Sequence, residues 1–362
     1  MFYQVGNQQF KNKFSAARYA AENNYDLHFN LYESAFDRAD WSKEPGLSWD
    51  TLLDIRANQL ARKNKPLVLH FSGGTDSLTI YEVFKRNNIH LDIVLMKTRE
   101  TEPEANKKVL ELFHAGLYDP TTKLIVRPED PDMYRNAYSD PDWIWTKGLR
   151  YQFSLLCGDT ESEDFLEKEL GTRDFISIIG FEKPRLHFTD DGVFSYQEDE
   201  NYVRPLHEST LDCFFISPDL PELHIKQSYM LLNYIKSINP MAKSTSELKM
   251  FSDIHQANEF HWYDYSFKGC GRFGDLNLSH TQHFGNMAQK LLIPKTGKFE
   301  SNTYQGRGNE WFTSLLDDQS VKNYAHGIMS VANDLAGKYL MTDPNNFYSM
   351  KQFRSKYYQL TF

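Results

Sequence analysis

Hydrophobic positions along this 362-residue chain recur with two different periods. Before residue 65 the spacing is helical. Phe14, Ala17, Ala20 and Ala21 fall on one face, and Leu52, Ile55 and Leu60 share a face of the segment from Trp49 to Lys63. This predicts a helical lead-in over 1–64 that packs on the domain C-terminal to it. From Pro66 the pattern becomes short apolar runs without polar alternation: Leu67–Phe71, Leu91–Met96, Leu124–Val126 and Phe175–Ile179. Such runs suit strands buried on both faces, as in a parallel sheet. Amphipathic stretches lie between them, with Leu78, Tyr81 and Phe84 in one stripe and Val109, Leu110 and Phe113 in another. The alternation predicts an α/β domain over 65–220, doubly wound around a mainly parallel sheet.

Leu186–Phe188 and Val193–Tyr196 flank Asp190, Asp191 and Gly192, and Asp-Gly between β-rich runs signals a hairpin, an excursion from the sheet near 185–206. Beyond Pro221 the period returns to helical, with Ile225, Tyr229, Leu232 and Ile235 in one stripe and Val321, Tyr324, Ile328, Val331, Leu335 and Tyr339 in another. A mainly helical region over 221–362 is expected, interrupted by glycine-rich stretches at Lys268–Gly274 and Thr296–Gly308.

The segment that carries chemistry is LVLHFSGGTDS, Leu67 to Ser77. An apolar strand runs into Ser72, Gly73, Gly74, Thr75, Asp76 and Ser77 and then into an amphipathic helix. Glycines at that turn allow backbone angles and close ligand approach that a Cβ blocks. The unpaired N–H groups of the following helix, with the hydroxyls of Ser72, Thr75 and Ser77, form an anion cradle suited to phosphate. Neither the GxxxxGK[ST] nor the GxGxxG pattern is present. An Asp inside such a loop repels phosphate unless Mg²⁺ or backbone N–H groups offset its charge, so Asp76 is a candidate to hold Mg²⁺ or to accept from those N–H groups. The plain alternative is that Thr75 or Asp76 caps the helix.

This hexapeptide in its strand-to-helix setting resembles the SGGxDS signature of the PP-loop ATP pyrophosphatase superfamily. The resemblance implies an adenine nucleotide alpha-hydrolase-like fold, a five-stranded parallel sheet with helices on both sides, and splitting of ATP into AMP and pyrophosphate. It further implies that Ser72, Gly73, Gly74, Asp76 and Ser77 hold the pyrophosphate portion of ATP with Mg²⁺. Met96, Lys97 and Thr98, directly after the second strand, are expected to contact the adenosine, because ligands of doubly wound sheets lie beyond the carboxyl ends of the strands. The acidic run after them, Glu100 to Glu104, loosely resembles the phosphoadenylylsulfate reductase branch; favourable placement of acids at a helix start explains it equally well. Gly180, Lys183 and Arg185 follow the fourth apolar run, and the two cations are expected to act at the α-phosphate or on an anionic second substrate. Otherwise they are a solvated turn.

Composition narrows the partners. The net charge of −9 provides no global positive field for nucleic acid or an anionic membrane, so a polyanion needs a local basic patch. No stretch approaches the roughly 20 apolar residues of a membrane span. Three cysteines, 157, 213 and 270, form neither a disulfide framework nor a CxxC pair, which fits a reducing cytoplasm. Cys270, between glycines, is a candidate reactive thiolate. With His280 and His283 it has zinc-ligand types at no standard spacing. Trp143, Trp145, Lys147 and Arg150 are read as either an acceptor pocket or core packing. Phe353 to Tyr358 are read as either a subunit contact of a homo-oligomer or a nucleic-acid contact.

The expected reaction is therefore ATP-dependent adenylation of an acceptor oxygen, followed by displacement of AMP by a nitrogen or sulfur nucleophile, with catalytic roles for Asp76, Lys183 and Arg185. The acceptor is a small molecule or a nucleic-acid base. A sulfonucleotide reductase or sulfur transferase using Cys270 and a non-catalytic nucleotide-binding module are the alternatives.

Overall fold

A computed structural model describes residues 1–71, 75–97, 120–128, 138–147, 160–180, 184–197, 211–238, 241–247, 317–323, 340–342, 348–350 and 353–362, together with positions 113, 132, 135, 136, 199, 326 and 330. The chain opens with β1 (Phe2–Val5) and β2 (Gln8–Phe10), joined through Gly6 at φ 55°, a left-handed turn position. Helix α1 (Lys13–Asn23) starts at Asn12, whose side-chain oxygen accepts from the N–H groups of Phe14 and Ser15, and ends at Asn24 in the left-handed conformation. β3 (Leu27–Asn30) returns to pair with β1, giving an antiparallel sheet of order β2-β1-β3. The lead-in is thus not helical throughout. Its strands of three and four residues are too short for a period of two to stand out beside the alanine stripe of α1.

A short α2 (Glu33–Phe36) precedes α3 (Trp49–Ala61), which is capped by Ser48 accepting from Thr51 N–H at 3.1 Å. The central sheet then begins with β4 (Leu67–His70), followed by α4 (Thr75–Arg86), β5 (Asp92–Lys97), β6 (Leu124–Pro128), α5 (Trp143–Lys147), α6 (Thr160–Leu170) and β7 (Ile176–Ile179). β8 (Arg185–Thr189) and β9 (Gly192–Tyr196) form the expected hairpin about Asp190 and Asp191, and β10 (Leu211–Cys213) is the fifth strand of the central sheet. The order is β6-β5-β4-β7-β10, and every neighbouring pair is parallel. All four apolar runs are therefore strands of one parallel sheet.

Alternating side chains send the two faces of this sheet to different partners. Leu67, Leu69, Ile176 and Ile178 pack with Leu52 and Leu60 of α3 and Ile80 and Phe84 of α4. Val68, Val94 and Ile125 pack with Leu166 of α6 and with Phe175. With helices against both faces, the architecture is α/β. Of the predicted helix stripes, Phe14, Ala17, Ala20, Leu52, Leu60, Tyr81 and Phe84 are buried. Ile55 and Phe113 are half-buried at the same core.

Beyond residue 220 the described residues hold one long helix, α7 (Pro221–Ile238), and three short strands, β11 (Leu340–Thr342), β12 (Tyr348–Met350) and β13 (Tyr358–Leu360), which the helical expectation did not include. Ile225, Tyr229 and Leu232 of α7 are buried as their spacing predicts, whereas Val321 of the second stripe is 36% exposed. Tyr324, Ile328, Val331, Leu335 and Tyr339 lie outside the described residues. β13 pairs antiparallel with β9, so the last residues of the chain complete a three-stranded sheet of order β13-β9-β8. Trp41 stacks on Tyr358 at 4.3 Å, and Lys13, 1% exposed, pairs with the fully buried Asp199 at 2.9 Å. These contacts fasten the N-terminal segment and the C-terminal strand to one core.

Candidate functional site

Because the five strands of the central sheet are parallel, their carboxyl ends share one edge. β4 is where the strand order reverses: the chain lays β5 and β6 outward on one side of it and β7 and β10 on the other. Register fixes the levels, with Leu69 opposite both Ile93 and Ile178, His70 opposite Val94, and Ile179 opposite Cys213. In an open parallel sheet the crevice outside such a reversal is where ligands settle, since the flanking connections leave to opposite faces. The segments after β4, after β5 and after β7 all leave from this edge.

The glycine-rich segment follows the central strand, β4, in sequence. Phe71, whose N–H donates to Val94 O at 3.0 Å, is the last described residue before the loop. Ser72, Gly73 and Gly74 lie outside the described residues, and α4 begins at Thr75. Thr75 and Asp76 are the first two residues of that helix, and Ser77, 5% exposed, is the third. A strand ending at residue 70 and a helix starting at 75 put a strand before the glycines and a helix after them, as an anion cradle requires. Met96 and Lys97 are the last two residues of β5, opposite Arg127 and Pro128, so the backbone brings them to the same edge one strand away. Gly180 directly follows β7 on the other side of β4. Thr98 and Lys183 lie outside the described residues. Arg185 opens β8, half-buried and opposite Tyr196.

Two features of this edge escaped the sequence reading. The His70 ring Nε2 lies 2.5 Å from Ser177 Oγ, tying the end of β4 to β7 at the reversal. Arg127, 5% exposed, places its guanidinium 5.6 Å from the Phe165 ring. His70 interrupts an apolar run and Arg127 directly follows one, but only the tertiary packing shows what each meets.

Other candidates fall elsewhere. Trp143 is fully buried, donates from Nε1 to Asn323 O at 3.2 Å and meets Tyr138 edge-on at 4.8 Å, while Trp145 is 7% exposed beneath Arg18. Both tryptophans are core residues, which removes the acceptor-pocket reading for them. Lys147 ends α5, and Arg150 lies outside the described residues, as do Cys157, Cys270, His280 and His283. Cys213, at the end of β10, is 4% exposed and forms no disulfide. Among the described residues no group of three His, Cys, Asp or Glu side chains is placed to hold a metal ion, and no helix is long and apolar enough to cross a membrane. No protein-family model matches this chain, and no curated protein matches it.

Proposed function

We propose that this chain binds ATP at the carboxyl edge of its central sheet, across the reversal at β4, and splits it into AMP and pyrophosphate to activate an acceptor. The observation that carries the reading is the position of the SGGTDS segment, which leaves the strand where the order β6-β5-β4-β7-β10 reverses. That order and the helices on both faces support a doubly wound fold of the adenine nucleotide alpha-hydrolase type.

In this reading the backbone N–H groups of Gly73, Gly74 and the first turn of α4, with the hydroxyls of Ser72, Thr75 and Ser77, hold the β- and γ-phosphates. Met96 to Thr98 receive the adenosine from the β5 side. Asp76 with those hydroxyls is a hard oxygen donor set of the kind Mg²⁺ takes, and one carboxylate plus substrate phosphates is a normal complement for that ion. When bound, Mg²⁺ would supply charge neutralisation on the phosphates. An acceptor oxygen attacks the α-phosphorus, forming one P–O bond while the bond to the bridging oxygen breaks and pyrophosphate leaves with the electron pair. Lys183 and Arg185, on the β7 side, offset charge at the α-phosphate, and a nitrogen or sulfur nucleophile then displaces AMP. A cytoplasmic setting accompanies this chemistry, since ATP is its substrate.

Equilibrium titration with ATP, with and without Mg²⁺, tests the site. Binding is expected to strengthen with Mg²⁺ and to weaken at least about ten-fold in Asp76→Ala, the loss of one charge-assisted contact. ATP affinity equal in the two proteins would refute the assignment.

A further inference from the structure

The three-stranded sheet β13-β9-β8 has one face turned into the core and one turned away from it. Leu186, Phe188 and Val193 point inward and are at most 3% exposed. Arg185 and His187 of β8 stand on the other face, directly across from Tyr196 and Phe194 of β9. The C-terminal segment leading into β13 adds to this face. Tyr357 stacks on Tyr196 with centroids 5.0 Å apart at 29°, and lies 5.5 Å from His187 and 6.4 Å from Phe194. Arg354 places its guanidinium 5.1 Å from the Tyr196 ring and donates from Nη1 to Tyr357 Oη at 2.9 Å. Tyr357, 36% exposed, and Arg354 are the solvent-facing members, with Arg185, His187 and Phe194 half-buried around them.

Four rings and two guanidinium groups therefore share one sheet face, and no Leu, Ile, Val or Met stands on it among the described strand positions. Flat rings offer stacking to any base, and guanidinium groups offer bidentate contacts to phosphate. The acids of the hairpin are at its far end: Asp190 accepts from Ser246 Oγ at 3.1 Å, and the Asp191 carbonyl accepts from Gln359 at 3.3 Å. The cationic end, Arg185 and Arg354, is the end that connects through residues 180–184 to β7 and the candidate nucleotide edge. In a chain of net charge −9, Arg185 and Arg354 put two guanidinium groups beside these rings, the local kind of contact a polyanion needs.

We infer that this face binds single-stranded nucleic acid, bases stacking on Tyr357 and Phe194 and phosphates meeting Arg354. The bound strand presents an acceptor base to the carboxyl edge of the central sheet; this second clause rests on the ATP reading above. The face itself does not depend on that reading.

Fluorescence anisotropy of the full chain with labelled oligo-dT and oligo-U of about 16 nucleotides, a length that spans such platforms, and with a duplex of equal length, tests the face. The single strands are expected to bind at least ten-fold more tightly than the duplex, whose bases are not free to stack, and the two sugars are compared directly. Affinity is expected to fall with salt. Tyr357→Ala should weaken binding roughly ten-fold or more. Arg354→Gln should lower the salt slope by about one, and Arg173→Gln, which removes an equal charge before β7, should change neither. Phe194→Leu gives a second reading of stacking should Tyr357→Ala not fold. No single-strand binding, equal binding of the duplex, or unchanged binding in both ring variants would overturn the inference. So would sedimentation showing a dimer that Tyr357→Ala dissociates, because the face would then belong to a second copy. A chain that binds oligonucleotide through Tyr357 but not ATP overturns the ATP reading and leaves the face standing; one that binds ATP but no oligonucleotide does the reverse.

Discussion

Mild acid should loosen the seam that holds the C-terminal strand, and the group responsible is His224 on α7. Its side chain is 2% exposed, lies face to face with Phe36 at 5.4 Å and meets Trp41 edge-on at 5.9 Å. Nδ1 has no hydrogen-bond partner. Burial without compensation pushes the imidazole pKa down from 6.5 to about 3. Between those values the unfolded chain binds a proton that the folded chain does not, so stability falls as pH falls through the window. The slope is about 1.4 kcal/mol per pH unit, or about 2 kcal/mol between pH 6.5 and 5. Asp37, whose carboxyl is held below its ordinary value by a hydrogen bond from Lys356, does not add to the effect in this range. Urea unfolding of the wild type and of His224→Leu, near in volume and without a titrating group, measures the effect at pH 7, 6 and 5. The wild type should lose about 2 kcal/mol more than the variant on acidification. Parallel losses in the two proteins would refute the assignment of the acid sensitivity to His224.

Other outcomes rest on contacts of the same hairpin and core. Gly192 sits at φ 152° with a built Cβ only 2.8 Å from Gln359 Nε2; Gly192→Ala should cost about 1–2 kcal/mol in urea unfolding, and adding Gln359→Ala should recover only a minor part, since the strain is in the backbone. Lys13→Met strands the Asp199 carboxylate in the core and should cost about 3–5 kcal/mol near neutral pH. Because burial raises the Asp199 pKa, the variant should regain stability as pH falls and the carboxyl is protonated, and Lys13→Met/Asp199→Leu should be more stable than Lys13→Met alone at pH 7.

How much of the fold was legible in the sequence depended on length and on register. β4, β5 and β7 are continuous apolar runs because both faces are covered, and continuity is easy to see, while the edge strand β6 leaves Val126 37% exposed. β10 is three residues with Asp212 in the middle, a polar residue tolerated there because Arg56, 1% exposed, donates to it from Nη2. Nothing in Leu-Asp-Cys announces a strand. The change from β4 to α4 was visible because glycines and hydroxyls between an apolar run and an amphipathic stretch have a local cause. The His70–Ser177 contact was not, since it joins residues 107 apart through strand order alone. The aromatic face was half visible: Phe353 to Tyr358 stood out for rings and charges, but only the pairing of β13 with β9 brings Tyr357 onto Tyr196. The tryptophans near residue 144 show the opposite case, ring and cation types that suited a pocket and core packing equally until their burial decided for packing.

The central claim is tested most directly by the products of ATP labelled at the α-phosphate. The full chain is incubated with Mg²⁺, single-stranded RNA and a small-molecule extract, beside Asp76→Ala. The account predicts label in AMP or an AMP adduct, pyrophosphate in equal amount, and loss of both by at least about a hundred-fold in the variant. Label appearing in ADP with inorganic phosphate, or AMP formation unchanged in Asp76→Ala, would contradict it.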